Sequence, residues 1–445
     1  MDRLFKRLRW DENIIAIIVI ITGVFMEPLA FAEAVKELDL RTSLSPGKHA
    51  SLYGKVMCGY QGWFTCPGDG TEKGWYHWGN SIDGKFYEFK PGACSIDAWP
   101  DMSEYDEDEK FETDFVYPDG SKAYVFSSVH PKTVDRHFKW MENYGIDGVF
   151  LQRFGVELAK QRDRYHLNAV LENVKKAANA HGRSYAIMYD LSNLEKGEMV
   201  DVINDWKNLV DYLRITRDRY DQAYQFHNGK PVVAIWGIGF LDREYTLDEC
   251  KNLVEFLKND PQYGGNTIML GVPTHWRKFG EDCIKDPKLH EIVAMADIVS
   301  PWMVGRFGNP ADVKKFAENI WQPDMEWCKE RGKDYYPVVF PGFSWANLQH
   351  NERFFNTIPR RKGEFLWTQY HWLCKIGVKM IYQAMFDEVD EATSILKCTD
   401  TPPIGASKFL TNEGLPSDHY LWLVGQGGRM LRGDIPLSEA LPVRK

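Results

Sequence analysis

From residue 132 onward, segments with helical periodicity alternate with short apolar runs, and the alternation repeats almost to the end of the chain. Amphipathic stretches at 133–143, 167–180, 199–213, 247–257, 289–295, 313–330 and 365–375 lead in turn to apolar runs at 148–151, 185–188, 232–235, 267–270, 298–300, 336–340 and 379–385. Another run stands in front at 55–58, and a further helical stretch closes the series at 420–431. Short apolar runs between helices are what strands buried on both faces look like, so the repeat predicts βα units on a parallel sheet. With a strand opening the series and a helix after each, the units predict an α/β fold, a single (β/α)8 barrel of the TIM type, in which closure leaves no free edge. An open doubly wound sheet is the alternative. It would carry a glycine-rich phosphate turn after the first strand, and no G-x-G-x-x-G stands there. The cluster Gly425-Gln426-Gly427-Gly428 is late and interrupts a helical pattern, which marks close packing or a helix end.

A chain of 445 residues, 44% hydrophobic, can bury one core of that size. Its net charge of −9, with no long Lys/Arg block, argues against a nucleic-acid partner. The chain opens MDRLFKRLRW, continues into an apolar run at 14–26 and reaches the small-residue site Ala30-Phe31-Ala32. That order predicts a secretory signal over 1–32, and the run is short for a membrane span of roughly 20 residues. An uncleaved anchor is the alternative, the only route to a membrane. Either way the body is expected to be exported, periplasmic or extracellular, with an extension at 33–49, the barrel at 50–435 and a tail at 436–445. The eight cysteines include no C-x-x-C pair. Cys66 and Cys94 could bridge the long loop that holds them, whereas Cys58 and Cys374 read as buried thiols. No His cluster has zinc spacing, and His275 has no second ligand beside it, so neither metal nor cofactor is expected.

The stretch from 60 to about 131 is too long for an ordinary βα loop, and it carries GYQGWFTCPGDGTEKGWYHWGN, a small hairpin near Phe86 and an acidic run over 104–109. On the C-terminal face of a barrel such a segment walls the cleft. The acidic run lacks the D-x-D-x-D-G pattern of a calcium loop and is read as a solvated face. The residues just past each strand should converge on one mouth. They are Tyr60, Gln61 and Trp63; Gln152 and Arg153; Tyr189 and Asp190; Trp236; His275 and Trp276; Trp302 and Arg306; Phe343, Ser344 and Trp345. With 14% aromatic residues overall and few cations at these positions, the mouth suits an uncharged polyhydroxylated ligand better than a phosphorylated one.

The last strand runs into Asp387-Glu388-Val389-Asp390-Glu391-Ala392-Thr393. Cleaving a glycosidic bond usually takes two carboxyl groups, one holding a proton and one ionised. Glu388 and Glu391, three apart, share one side if the loop takes a helical turn. Asp387 and Asp390 would then cap the turn or hold Arg153.

This motif resembles the N-E-W-H-E-G-T that ends the last strand in glycoside hydrolase family 99, the endo-α-mannosidases and endo-α-mannanases, and more loosely the family 71 α-1,3-glucanases. MENYGIDGVFLQRFG and PVVFPGFSW are similar to that family's segments at strands two and seven, and residues 50 to 435 resemble bacterial family 71/99-like proteins labelled xylosidase/arabinosidase. The resemblance implies retaining hydrolysis of an α-linked glycan, with Glu388 as base on the substrate's own 2-hydroxyl and Glu391 as acid and then base. Val389, Asp390 and Ala392 depart from the family's Trp, His and Gly, neighbours that shape the sugar subsite.

Overall fold

The computed structural model describes residues 49–81 and 87–444, so the expected signal segment 1–32 lies outside the described residues, as does all but the last residue of the extension 33–49. Eight parallel strands make the central sheet: β1 (Val56–Tyr60), β2 (Gly148–Phe154), β3 (Ser184–Asp190), β4 (Lys230–Trp236), β5 (Thr267–Val272), β6 (Ile298–Pro301), β7 in two pieces (Asp334–Tyr335 and Val338–Val339) and β8 (Ile381–Gln383). Each pairs with the next in chain order, and β8 returns to β1 with Tyr382 opposite Met57. Closure runs through β7, whose first piece pairs with β6 and whose second pairs with β8. Pro337 has no N–H to give the ladder, so the strand divides there, and its carbonyl still accepts from Tyr382 N–H at 2.9 Å. The alternation of the sequence is thus a closed (β/α)8 barrel.

The helices that cover it are α1 (Pro131–Tyr144), α2 (Gln161–His181), α3 (Met199–Asp211), α4 (Leu247–Asn259), α5 (Lys288–Met295), α6 (Pro310–Phe316), α7 (Gln322–Glu330), α8 (Glu364–Ile376) and α9 (His419–Arg432). The expected single helix over 313–330 is α6 and α7 joined by a π-helical turn, Ala317–Trp321. Pro323, lacking an N–H for the preceding turn, follows directly. The glycine cluster lies inside α9 and does the packing expected of it. A Cβ at Gly425 would stand 2.0 Å from the Tyr144 carbonyl of α1, and one at Gly427 would stand 2.5 Å from the Tyr370 ring of α8. None of the described helices is long and apolar enough to cross a membrane.

The segment after β1 forms two small antiparallel ribbons, Asn80–Ser81 with Tyr87–Glu88 and Phe111–Val116 with Lys122–Val125. It packs its own aromatic core of Phe64, Trp78, Phe89, Trp99 and Phe115. Bridges from Ala98 to Leu410, Pro100 to Cys398 and Val116 to Ile404 knit it to the long connection after β8. The two largest βα connections therefore build one wall above neighbouring strands. The acidic run is less solvated than expected: Glu109 is fully buried against Arg136 and Thr133, and Asp106 and Asp108 pair with Lys132. The possible bridge between Cys66 and Cys94 is not formed, because the thiols have separate partners at 3.2 Å, the Phe126 carbonyl for Cys66 and the Ser407 hydroxyl for Cys94.

Candidate active site

β8 is shorter than its apolar run because the chain folds back after it. Met385 N–H donates to the Thr393 carbonyl at 3.0 Å instead of to a neighbouring strand, and Ser394 N–H donates to the Glu388 carbonyl at 3.1 Å. Residues 387–393 are thereby a closed loop of turns rather than the helical turn expected. The loop is held from outside as well. The N–H groups of Asp97 and Ala98 both donate to the Val389 carbonyl, at 3.0 and 3.2 Å, and Arg360 donates to the carbonyls of Ala392 and Ser394 at 2.9 and 2.7 Å. Asp97 is itself fixed by the backbone N–H groups of Ala346 and Asn347, at 2.8 and 2.9 Å, and by the Ser344 hydroxyl.

Four carboxyls occupy this loop in different surroundings. Asp387 is fully buried and accepts from the backbone N–H groups of Gln61 and Gly62, both at 2.8 Å, which ties β8 to the end of β1. Glu388 accepts from the Gln61 amide at 2.8 Å and the Thr393 hydroxyl at 2.7 Å. Asp390 lies 3.0 Å from His77 Nδ1, and its other oxygen is buried without a partner. The part-exposed Glu391 engages its neighbours through its main chain, its carbonyl accepting from Ser344 N–H at 3.0 Å, and its carboxyl receives no donor from the described residues. Burial pushes all four upward: Asp387 to about 7, Asp390 to about 8 and Glu391, with Asp390 beside it, also to about 8. Glu388 is raised by burial and then by the charges of Glu391 and Asp390, while its two donors pull the other way. One carboxyl held by donors beside one left free to keep a proton is the division of labour that acid–base chemistry requires.

The expected mouth residues divide into two groups. Gln61 reaches Glu388, and Gln152 donates to Tyr382 at 3.3 Å and lies 3.0 Å from the Met188 sulfur inside the barrel. Asp190 accepts from Ser192 N–H at 2.8 Å at the end of β3. Trp63, Trp236, Trp302, Phe343 and Trp345 are each part-exposed at strand ends; Trp236 meets Trp302 edge to face at 5.4 Å, and Phe343 stands 5.3 Å from Trp345. His275 is part-exposed and pairs with Glu281 at 3.2 Å.

Of the expected residues, Tyr60, Arg153, Trp276 and Tyr189 face away, the last fully buried with its hydroxyl donating to Asp205 at 2.8 Å. Tyr60 is fully buried against α1, where its hydroxyl meets His137 at 2.9 Å and the far side of that ring meets Tyr105 at 3.0 Å. Arg153 is also fully buried. It follows the inward Gln152, so it points outward to α3 and pairs with Asp205 at 2.8 and 2.6 Å. It is not held by Asp387 or Asp390. Trp276 is core, packed edge to face on Trp327 of α7 at 4.7 Å.

His77 and Thr393 complete the site, and neither carried a sequence signal beyond lying in the quoted stretches. His77 stacks on Trp63 with ring centroids 3.7 Å apart and planes 5° from parallel. Among the described residues no group of three or more His, Cys, Asp or Glu is placed to hold a metal ion.

No family model matches this sequence, and no curated protein matches it. Among solved structures it is similar to the GH99 endo-alpha-mannosidase from Bacteroides thetaiotaomicron, with a TM-score of 0.63 and 16% identity over 86% of this chain and 99% of that one. The same enzyme in complex with BIS-TRIS-Propane gives 0.62 at 16% identity, again over 86% and 99%. At that identity the likeness is one of fold: the chain carries a GH99-like (β/α)8 barrel, in agreement with the resemblance its motifs carry.

Proposed function

We propose that this protein is an exported glycoside hydrolase that cleaves an α-linked oligosaccharide or polysaccharide with retention, using the substrate's own 2-hydroxyl as nucleophile. The observation that carries the reading is the contrast between Glu388, held by the donors Gln61 and Thr393, and Glu391, three residues on, with no donor at its carboxyl. In the first step Glu388 takes the proton of the sugar 2-hydroxyl, and that oxygen attacks C1 to form a 1,2-anhydro sugar. The bond from C1 to the leaving oxygen breaks as Glu391 protonates it. In the second step Glu391 removes a proton from water, which attacks C1, and Glu388 returns its proton to the 2-oxygen. Atoms balance over the two steps, and both carboxyls end as they began.

Part-exposed indoles at the strand ends supply flat faces for sugar rings. The fold neighbour is named an endo-alpha-mannosidase, which makes α-mannan the first substrate to try. The test is release of reducing ends from α-mannan, α-1,3-glucan, arabinan and xylan, with Glu391→Gln alongside. Product from the wild type alone supports the reading. Sugar binding without release from either protein would replace it with a glycan-binding barrel. Export rests on the sequence of residues 1–32, and amino-terminal sequencing of the mature protein from the cell envelope or medium tests it.

A further inference from the structure

The two candidate catalytic carboxyls sit on one loop but are anchored by different parts of the fold. Glu388 is held from the end of β1: its carboxyl accepts from the Gln61 amide at 2.8 Å, and its neighbour Asp387 accepts from the N–H groups of Gln61 and Gly62. The Glu391 carboxyl receives no donor from the described residues, so its place is set by the main chain that carries it. There Ser344 N–H, from the connection after β7, donates to the Glu391 carbonyl at 3.0 Å, and the N–H groups of Asp97 and Ala98, from the β1 wall, donate to the Val389 carbonyl two residues earlier.

These holding groups meet at one buried side chain. Asp97 is fully buried; one carboxyl oxygen accepts from the Ser344 hydroxyl and from Ala346 N–H at 2.8 Å, the other from Asn347 N–H at 2.9 Å. Ser344, expected at the mouth, is fully buried as well, and its hydroxyl accepts from Asn356 N–H at 2.8 Å while donating to Asp97. Asn347 returns a bond to the wall, its amide donating to the Ile96 carbonyl at 2.7 Å. A buried carboxyl is costly unless its oxygens find donors, and every donor here comes from the β7 connection. The wall, the β7 connection and the β8 loop are thus fastened at one point.

We infer that Asp97 is a positioning residue: acting through Ser344, it sets where Glu391 stands relative to Glu388. This rests on the reading of those two residues as acid and base. Without the Asp97 carboxyl, the Ser344 hydroxyl and the N–H groups of Ala346 and Asn347 lose their acceptor, and the N–H that holds Glu391 is no longer fixed. Glu388 keeps Gln61 and Thr393 throughout. A misplacement of about 1 Å can cost about 10²-fold in rate, so a displaced acid beside an undisturbed base has its own kinetic signature.

The test is hydrogen–deuterium exchange of the full chain, read by mass spectrometry over peptides spanning 58–64, 94–99 and 342–348, in wild type, Asp97→Asn and Ser344→Ala. Asn keeps the shape of the side chain but turns one acceptor oxygen into a donor that faces other donors. Ser344→Ala keeps the N–H and removes only the hydroxyl, so it carries the test if Asp97→Asn does not fold. Exchange over 94–99 and 342–348 rises about 10-fold or more, while 58–64, which holds the Gln61 and Gly62 amides, keeps its wild-type rate. On the glycan the wild type cleaves, kcat falls about 10- to 100-fold, and the burst of phenol from an activated aryl glycoside of the same sugar keeps its rate, because that step needs the base and not the acid. Exchange unchanged in all three peptides overturns the inference, as does a turnover left at the wild-type level. Exchange raised equally in all three, or a burst slowed as much as the turnover, overturns it too, since either marks general loosening. Exchange needs no substrate, so a protein that cleaves no glycan yet shows the split pattern sinks the hydrolase reading and leaves Asp97 as the anchor of the loop.

Discussion

Gln61, at the end of β1, donates its side-chain amide to Glu388 at the end of β8 at 2.8 Å, while its backbone N–H donates to Asp387, also at 2.8 Å. One residue thereby joins the barrel seam to the candidate base, so the orientation of Glu388 depends on the fold closing where it does. Gln61→Ala should lower kcat/KM by about 10- to 100-fold, the range for a hydrogen bond to a charged group. Losing a donor to the ionised form raises the Glu388 pKa, so the acid limb of the pH–rate profile should move to higher pH. A profile that keeps its acid limb would detach Gln61 from the base.

Glu388→Gln and Glu391→Gln should each reduce turnover by about 10²- to 10⁴-fold, as expected for a lost general base or acid. Thermal unfolding should show both variants folded, since each change removes a carboxyl that burial disfavours in its charged form. On an aryl glycoside whose leaving group needs no proton, Glu391→Gln should recover the first step, seen as a burst of released phenol with the second step still slow for want of its base, and Glu388→Gln should show no burst.

The aromatic residues should separate into two classes. Trp63→Ala or Trp236→Ala should raise KM by up to about 10-fold, in keeping with an aromatic contact of about 0.5–1.5 kcal/mol, and leave the Tm close to wild type. Trp276 is fully buried, so Trp276→Ala should cost about 3–5 kcal/mol in denaturant unfolding and leave the kinetics of the folded fraction unaltered.

Arg153→Ala should act on stability alone. It strands Asp205 in the barrel wall without its guanidinium, a loss of about 3–5 kcal/mol for a broken buried pair. An increase in KM without a loss of stability would return Arg153 to the mouth.

Stability should fall as pH rises from about 6.5 to about 8.5. Asp387, Asp390 and Glu391 have folded values of about 7, about 8 and about 8, above their ordinary ones of 3.8, 3.8 and 4.5. Each therefore holds a proton in the folded state where the unfolded chain has lost it; the stabilisation is complete below the unfolded value and disappears as pH passes through the folded one. His77, His137 and His166, each lowered to about 3, act in the opposite sense, but only below the ordinary value of 6.5. Scanning calorimetry across the window should show a declining Tm, with a shallower slope in Asp390→Asn.

The barrel was legible in the sequence because strands buried on both faces must be apolar throughout and the helices over them must be amphipathic, and both patterns survive in one dimension. The position of the acidic motif was legible for the same reason, since it follows an apolar run directly. What the tertiary structure decided is direction. Whether a residue at a strand end points into the mouth or out to a helix depends on where the strand stops within its period of two. Gln152 points in and Arg153 out, and Tyr60 and Trp276 are buried where a position count alone placed them at the cleft. Long-range pairing was equally invisible. His77 meets Asp390 across 313 residues, and a contact that exists only because the β1 wall folds over the end of β8 leaves no periodic trace in the chain.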